Sequence, residues 1–406
     1  MTLVPYRSGP ALDPEAFARV RRALLLEHCK WDPQVGDVAT LAPFPLLMQR
    51  ETWSELARWA EELTAEAAEA ESELAVKPEL HRRLGLPRRL RRALEPGRVG
   101  SSPAPRALRY DFHFTREGWR ISECNADVPG GYAEASAFPS LMAAHYPDAT
   151  PAGDPGAAWA LALADAADGN DIALLSAPGF MEDHQVTRYL AKRVQQLGLR
   201  AHCVQPSQIE WHDDRACLGA RRLGAVLRFY QAEWLASLQR STEWWRYFRG
   251  SKTPILNPGS CIVIESKRFP LVWDALASRL PTWRRLLPLS VDPREAPWQH
   301  DDSWLLKTAL CNTGDTVSAR ALLSPVRWAQ AKRSARWFPG GWVAQQRFEP
   351  VSLDTPLGPV FPCIGVYTVD GRACGAYARI SHGPVVDFAA VDVALLIEEP
   401  SNVAFA

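Results

Sequence analysis

No excess of either charge marks this chain: lysine plus arginine and aspartate plus glutamate number 46 each in 406 residues. Without a global basic field, nothing would hold a nucleic acid or an anionic membrane by counterion release, so small molecules or a peptide are the expected partners. No run of about eighteen apolar residues is present to span a bilayer. The segment MTLVPYRSGPALDPEAF lacks a charged region followed by an apolar one, the pattern of an export signal. The eight cysteines form no CxxC or CxxH spacing, so reduced thiols in a cytoplasmic protein are expected rather than a zinc site. GxGxxG and GxSxG are also missing, which argues against dinucleotide binding and against a nucleophilic serine. The nine histidines, including His113, His184 and His382, show no spacing that selects a base or a ligand and read as surface or structural.

The chain does contain enough apolar material, 47%, to bury two or three packed lobes. Residues 13 to about 95 read as an N-terminal helical region: Asp13 before Pro14 is an N-cap followed by a first-turn proline, and Trp53 to Leu74 is rich in Ala, Glu and Leu at helical spacing. The arginine-rich stretch Arg82 to Arg92 reads as a solvated helix face. ALRYDFHF and GWRISECN alternate polar with apolar residues around a Thr115 to Gly118 turn, which predicts a hairpin. DIALLSA, a helix from about Glu182 to Gln196, and RAHCVQP predict a parallel βαβ unit. Later, WVAQQRFEPV, FPCIGVYTVDG and RACGAYARIS read as strands, the last two joined by an Asp370–Gly371 turn.

The densest chemistry lies in RYDFHFTREGWRISECNADVPGG. On a strand, side chains at i and i+2 share a face about 7 Å apart, so Arg109 and Asp111 point one way, as do Glu123, Asn125 and Asp127. Pairing the strands would gather Asp111, Glu123 and Asn125, three hard oxygen donors suited to Mg²⁺, with Arg109 beside them. A hairpin carrying ordinary surface charge is the competing reading. Lys307 lies in the apolar stretch WLLKTAL, where its ammonium needs an anion, either a phosphate or a structural carboxylate.

Arg109-x-Asp111 and, twelve residues on, Glu123-x-Asn125-Ala126-Asp127-x-Pro129 resemble the metal-binding stretch of glutathionylspermidine synthetases and their circularly permuted ATP-grasp relatives. The likeness continues in order over roughly residues 105 to 392. Tyr230 to Trp234 resembles the family's Tyr-x-x-Glu-Trp segment, and Asn257, Pro258 and Ser266-Lys267 resemble its Asn/Ser-Lys approach. The resemblance implies ATP and Mg²⁺ as cofactors, with metal ligands Asp111, Glu123 and Asn125. It implies a catalytic Arg109, phosphate-binding Lys267 and Lys307, and a loop at Gly314, Asp315 and Val317. It also implies a hinge at Gln345, Gln346 and Phe348 that hydrogen-bonds adenine through backbone groups, and a phosphate or substrate ligand at Arg379. The loop departs from the family pattern: Thr308 stands where proline is usual, and Asn312-Thr313-Gly314-Asp315 where Gly-Arg-Glu-Gly is usual.

The expected fold is α+β and α/β, a circularly permuted ATP-grasp with antiparallel sheets around the nucleotide. An open βαβ lobe of pre-ATP-grasp type and an N-terminal helical region complete it. Expected boundaries are 1–100 for the helical region, 101–165 for the first ATP-grasp part with the hairpin, 166–262 for the βαβ substrate-side lobe, and 263–406 for the remainder. The implied activity is ligation of a small-molecule or peptide carboxylate to an amine through an acyl phosphate. A nucleotide-binding module without turnover and a small-molecule kinase are the alternatives. SAPGF and the tryptophan-rich segment from Trp234 to Phe248, which reads as a helix under a surface loop, are where selectivity is expected.

Overall fold

The long Arg50–Ala75 helix shows how the apolar pattern builds the core. Leu56, Leu63 and Leu74 recur on one face and are fully buried, each contributing about 2 kcal/mol of apolar burial. That face lies against the strands Ala107–Thr115 and Gly358–Val369, where Thr64 Oγ1 reaches the Tyr110 hydroxyl at 3.1 Å and Thr368 Oγ1 at 2.9 Å. The computed structural model describes residues 4–32, 34–35, 38–95, 104–310, 317–386 and 389–399.

The principal sheet is antiparallel, in the order Val391–Val393, Arg372–Ser381, Gly358–Val369, Ala107–Thr115, Gly118–Asn125, with Leu353–Thr355 also on Gly358–Val369. Both predicted hairpins are present. Asp370 and Gly371 adopt φ of 47° and 81°, the paired left-handed conformation that a two-residue turn between right-twisted strands requires. One face of this sheet sends Tyr110, Phe112, Ile121, Ile364 and Val366 into the largest core. The other face carries Arg109, Asp111, Glu123, Asn125, Tyr377 and Arg379 into a cleft.

A second sheet, in the order Glu210–His212, Arg215–Leu218, Arg221–Arg228, Asp171–Leu175, Ala201–Val204, is the open lobe, with Ile255–Leu256 added beside Arg221–Arg228. Its Asp171–Leu175 and Ala201–Val204 strands are parallel and joined through the helix Met181–Gln196, as the βαβ pattern predicts. A third, antiparallel sheet of Ser290–Val291, Trp342–Gln346 and Trp304–Thr308 packs on the helix Pro325–Trp337 through Trp304, Leu306, Ala335 and Ala344.

Two local readings need correction. The N-terminal region is not helical throughout: Tyr6–Ser8 and Leu46–Gln49 are strands in a sheet with Leu395–Glu398 and Ala149–Pro151. The arginines from Arg82 to Arg92 are mostly exposed, as read; Arg83 also donates to Leu271 O at 2.5 Å and Arg89 to Leu238 O at 2.8 Å, tying that segment to two others. The tryptophan-rich stretch is three short helical turns rather than one helix. Among the described residues no helix is long and apolar enough to cross a membrane.

Candidate active site

Register decides which side chains meet. In the central hairpin Arg109 pairs with Asn125 and Asp111 with Glu123, so all four side chains stand on the cleft face. Asp127, grouped with them by alternation, does not: the strand ends at Asn125, and Asp127 is fully buried against Arg228 Nη2 at 2.6 Å and the Ala232 N–H at 2.8 Å. Two carboxylates directly opposite one another repel, so their counterions matter. Asp111 accepts from Arg109 Nε at 2.8 Å, Arg379 Nη2 at 2.9 Å and Asn125 Nδ2 at 3.3 Å. Burial pushes the Asp111 carboxyl up, but the two guanidiniums overcome it and hold the group at about 2. Arg109 also donates from Nη1 to Gly130 O at 2.9 Å and lies over the Tyr377 ring, 5.2 Å from its centroid.

Both predicted lysines border the hairpin. Lys267 Nζ lies 3.0 Å from Glu123 Oε2 and 3.7 Å from Glu265 Oε1, yet it is buried without a properly directed hydrogen-bond acceptor. Burial opposes its charge, but Glu123 and Glu265 overcome this and raise its pKa. Against burial, Lys267 and Lys307 together lower that of Glu123. Lys307, on Trp304–Thr308, donates to Ser122 O at 2.8 Å; burial and, in smaller part, Lys267 lower it to about 8. Val317 lines the cleft, whereas Gly314 and Asp315 lie outside the described residues.

The two glutamines of the expected hinge part company, as adjacent strand residues must. Gln345 is buried in the cleft wall, its Nε2 donating to Ser290 Oγ at 2.9 Å. Gln346 is exposed outside the cleft and its N–H is bonded to Leu289 O at 2.8 Å, so the structure does not bring its side chain to the site. Phe348 lines the cleft 5.2 Å from the ring of His113. His113, read from sequence as surface or structural, is instead a buried part of the cleft wall; burial and, in smaller part, Lys307 and Arg379 lower it to about 4, leaving it neutral near pH 7. Its position two residues beyond Asp111 on the same strand face was a signal available in the sequence.

The opposite end of the cleft went unrecognised. Lys30 Nζ sits 3.1 Å from Asp32, two residues on, and 2.6 Å from Glu134 and 3.0 Å from Asp392, which are too far away in sequence to be linked to it by spacing. Phe180 and Asp183, from the segment expected to hold selectivity and just beyond it, also line the cleft, while the tryptophan-rich stretch reaches its edge only through Gln231 and the Phe180–Trp234 contact.

These residues enclose a cavity of about 390 Å³, cationic at the hairpin end and acidic at the Lys30 end. Among the described residues no group of three His, Cys, Asp or Glu is disposed to hold a metal. The set Asp111, Glu123 and the amide oxygen of Asn125 is nevertheless chemically fitted to a hard divalent cation: two opposed carboxylates, both ionised, and a carbonyl on one face.

The solved structures that resemble this one include a glutathione synthetase-like effector from Globodera pallida in its apo form. That match has 12% identity and a TM-score of 0.65, covering 95% of this chain and 97% of that one, and it agrees with the mixed α+β ATP-grasp architecture. A putative gamma-glutamylcysteine synthetase from Methylobacillus flagellatus KT matches at 11% identity and a TM-score of 0.43 over 79% of this chain and 82% of that one. No curated protein sequence matches. A family model, that of the glutathionylspermidine synthase preATP-grasp family, matches residues 46–398, and with most of its length matched the chain belongs to that family.

Proposed function

We propose that the chain is an ATP- and Mg²⁺-dependent ligase that joins a carboxylate to an amine through an acyl phosphate. The observation that carries this reading is the convergence of Arg109, Arg379 and Lys307 on the opposed Asp111 and Glu123 in one cleft, with Lys267 against Glu123 in the small pocket beside it. Lys267 Nζ, buried without a directed acceptor, and Lys307 are suited to the phosphate oxygens of ATP, and Gln345 and Phe348 to its base. Asp111, Glu123 and Asn125 would hold Mg²⁺, which supplies charge neutralisation and a template for the phosphates. A substrate carboxylate oxygen attacks the γ-phosphorus and ADP leaves. The amine nitrogen then attacks the acyl carbon of the acyl phosphate, and inorganic phosphate leaves with the bonding pair as the nitrogen loses its proton. Arg109 and Arg379 stabilise the negative charge that develops at each step. The acidic end around Lys30 and Asp183 suits the amine. The seven described cysteines are all free, which fits a cytoplasmic setting.

The test is phosphate release over paired acids and amines. Release that needs both substrates supports the ligase, a stable phosphorylated product supports a kinase, and nucleotide binding without release under any pairing supports a binding module. Arg109→Ala should reduce the rate about 10²-fold or more while leaving nucleotide affinity nearly unchanged; equal losses in both would make Arg109 a binding residue.

A further inference from the structure

The helix Pro325–Trp337 is amphipathic in an inverted sense. Its inward face packs on the third sheet through Ala331 and Ala335, which are buried, and through Trp328, whose ring meets that of Trp298 with centroids 5.9 Å apart. Larger apolar side chains face water instead: Val326 is 68% exposed, and Trp337 and Phe338, the latter just beyond the helix, are 72% exposed each. An α-helix turns about 100° per residue, so Arg333 and Trp337, seven and eleven residues on from Val326, return to within about 20° of its direction. Val326, Arg333 and Trp337 therefore form one outward stripe about 16 Å long, with the exposed Arg327 and Arg336 on its flanks.

Charge and rigidity say what that stripe would meet. The helix carries Arg327, Lys332, Arg333 and Arg336 and no acidic residue, and among the described residues none of the four has an ion-pair partner. In a chain whose charges balance overall, this is a local positive field left uncompensated. The aromatic pair is also held in place. Arg268, paired with Asp292 Oδ2 at 2.9 Å, donates to Pro339 O at 3.0 Å and to Trp342 O, and the Phe338 N–H donates to Ser334 O at 2.8 Å. The turn that presents Trp337 and Phe338 is thus fixed from behind, and anchors fixed before binding lose less entropy on docking. Tryptophan, phenylalanine and arginine are also the types enriched at the centres of protein interfaces.

We propose that this face docks an acidic amphipathic helix of another protein. Its apolar side chains cover Val326 and the Trp337–Phe338 pair, and its carboxylates meet Arg333, Arg327 and Arg336. Apolar anchors eleven residues apart on the partner match the stripe, and a carboxylate between them takes Arg333 in a two-pronged hydrogen-bonded pair. The place of Arg333 separates this partner from a lipid surface: a helix lying in a membrane interface keeps its charges to the sides of an apolar face, whereas here a guanidinium stands in the middle of it. Val326 separates it from a single-stranded nucleic acid, whose bases stack on aromatic rings rather than on an aliphatic side chain. The proposal does not depend on the ligase reading.

Fluorescence anisotropy on the full chain tests it. The probe is a labelled peptide of about sixteen residues, made of glutamate and alanine with two leucines eleven positions apart. Its controls are the same peptide with lysine for glutamate, the same peptide with alanine for both leucines, phosphatidylserine–phosphatidylcholine vesicles, and oligothymidylate. The native protein should bind the acidic leucine peptide at least about tenfold more tightly than either peptide control. Trp337→Ala/Phe338→Ala should lose about tenfold of that affinity, and Arg333→Glu should lose it while binding the lysine peptide more tightly than the native chain does. All three side chains are exposed, so the unfolding midpoints should stay as in the native chain. Failure of the acidic leucine peptide to bind, equal binding of its peptide controls, an affinity unchanged in both variants, or tighter binding of vesicles or oligonucleotide would overturn the proposal. So would a native dimer in sedimentation that Trp337→Ala/Phe338→Ala dissociates, because the face would then belong to a second copy of the chain. None of these readouts involves phosphate release, so the docking face and the ligase reading stand or fall separately.

Discussion

At the scale of single residues the site sets function against stability, and Lys307 shows this best. Its ammonium is buried on a strand with one backbone acceptor, Ser122 O, and burial together with Lys267 lowers it from the ordinary lysine value to about 8. Below pH 8 the folded and unfolded chains both carry the proton, and the fold bears the whole cost of the buried charge. Between 8 and 10.5 the folded chain has released the proton while the unfolded chain keeps it, so that cost disappears as pH rises. Lys307→Met should therefore stabilise the ligand-free protein by about 1–3 kcal/mol at pH 7, the lost bond to Ser122 offsetting part of the gain. The stabilisation should fade toward pH 10.5 in paired denaturant titrations, and nucleotide binding should be lost at both ends. A variant that is destabilised at pH 7 would mean that Lys307 holds the strand in place rather than waiting for an anion.

At the scale of elements, legibility followed periodicity. The hairpin from 107 to 125 was readable because its alternation, its turn and its chemistry all point to the same register, which the structure realises as Asp111 opposite Glu123. Alternation misled where an element ended: Asp127 left the strand after Asn125. The strands Tyr6–Ser8 and Leu46–Gln49 escaped notice because they are short and their partners are remote: they pair with each other across about 40 residues, and Leu46–Gln49 pairs with Leu395–Glu398 about 350 residues away. The third strand of the site was visible as a strand, but its role was not. Gly365 lies opposite both Asp111 and Tyr377, and a Cβ there would meet Arg109 Cδ at 2.8 Å and Asp111 Oδ1 at 3.0 Å. The missing side chain makes room for the ion pair. Gly365→Ala should displace Arg109 and Asp111 by a few tenths of an ångström or more, reducing turnover about tenfold to 10²-fold. The unfolding free energy should fall by only about 1–3 kcal/mol. Comparing kcat with denaturant midpoints checks this: proportionate loss of both would make Gly365 a folding residue alone.

At the scale of the whole molecule the cleft is a meeting of segments that local reading cannot connect. Lys30, Glu134 and Asp392 come from three distant parts of the chain, and the hairpin cations come from residues 109, 267, 307 and 379. What the sequence does show is the balance: 46 basic against 46 acidic residues leave no global field, so recognition depends on local charge. On the proposed ligase reading, that balance would couple two ligands at the hairpin. Mg²⁺ alone meets Asp111 already paired with Arg109 and Arg379, and Glu123 already paired with Lys267. ATP alone meets cations engaged by those same carboxylates. When both are present the phosphates can take the two lysines and the carboxylates the metal, so each should strengthen the other, with a coupling of about 1–3 kcal/mol. The rise in unfolding midpoint with Mg²⁺ and ATP together should therefore exceed the sum of the separate rises. In Asp111→Asn/Glu123→Gln, where no carboxylate competes for the lysines, ATP alone should bind more tightly than in the native chain and Mg²⁺ should add nothing. If the double variant keeps the synergy, the metal is held elsewhere in the cleft, and the opposed carboxylates serve only to anchor the four cations.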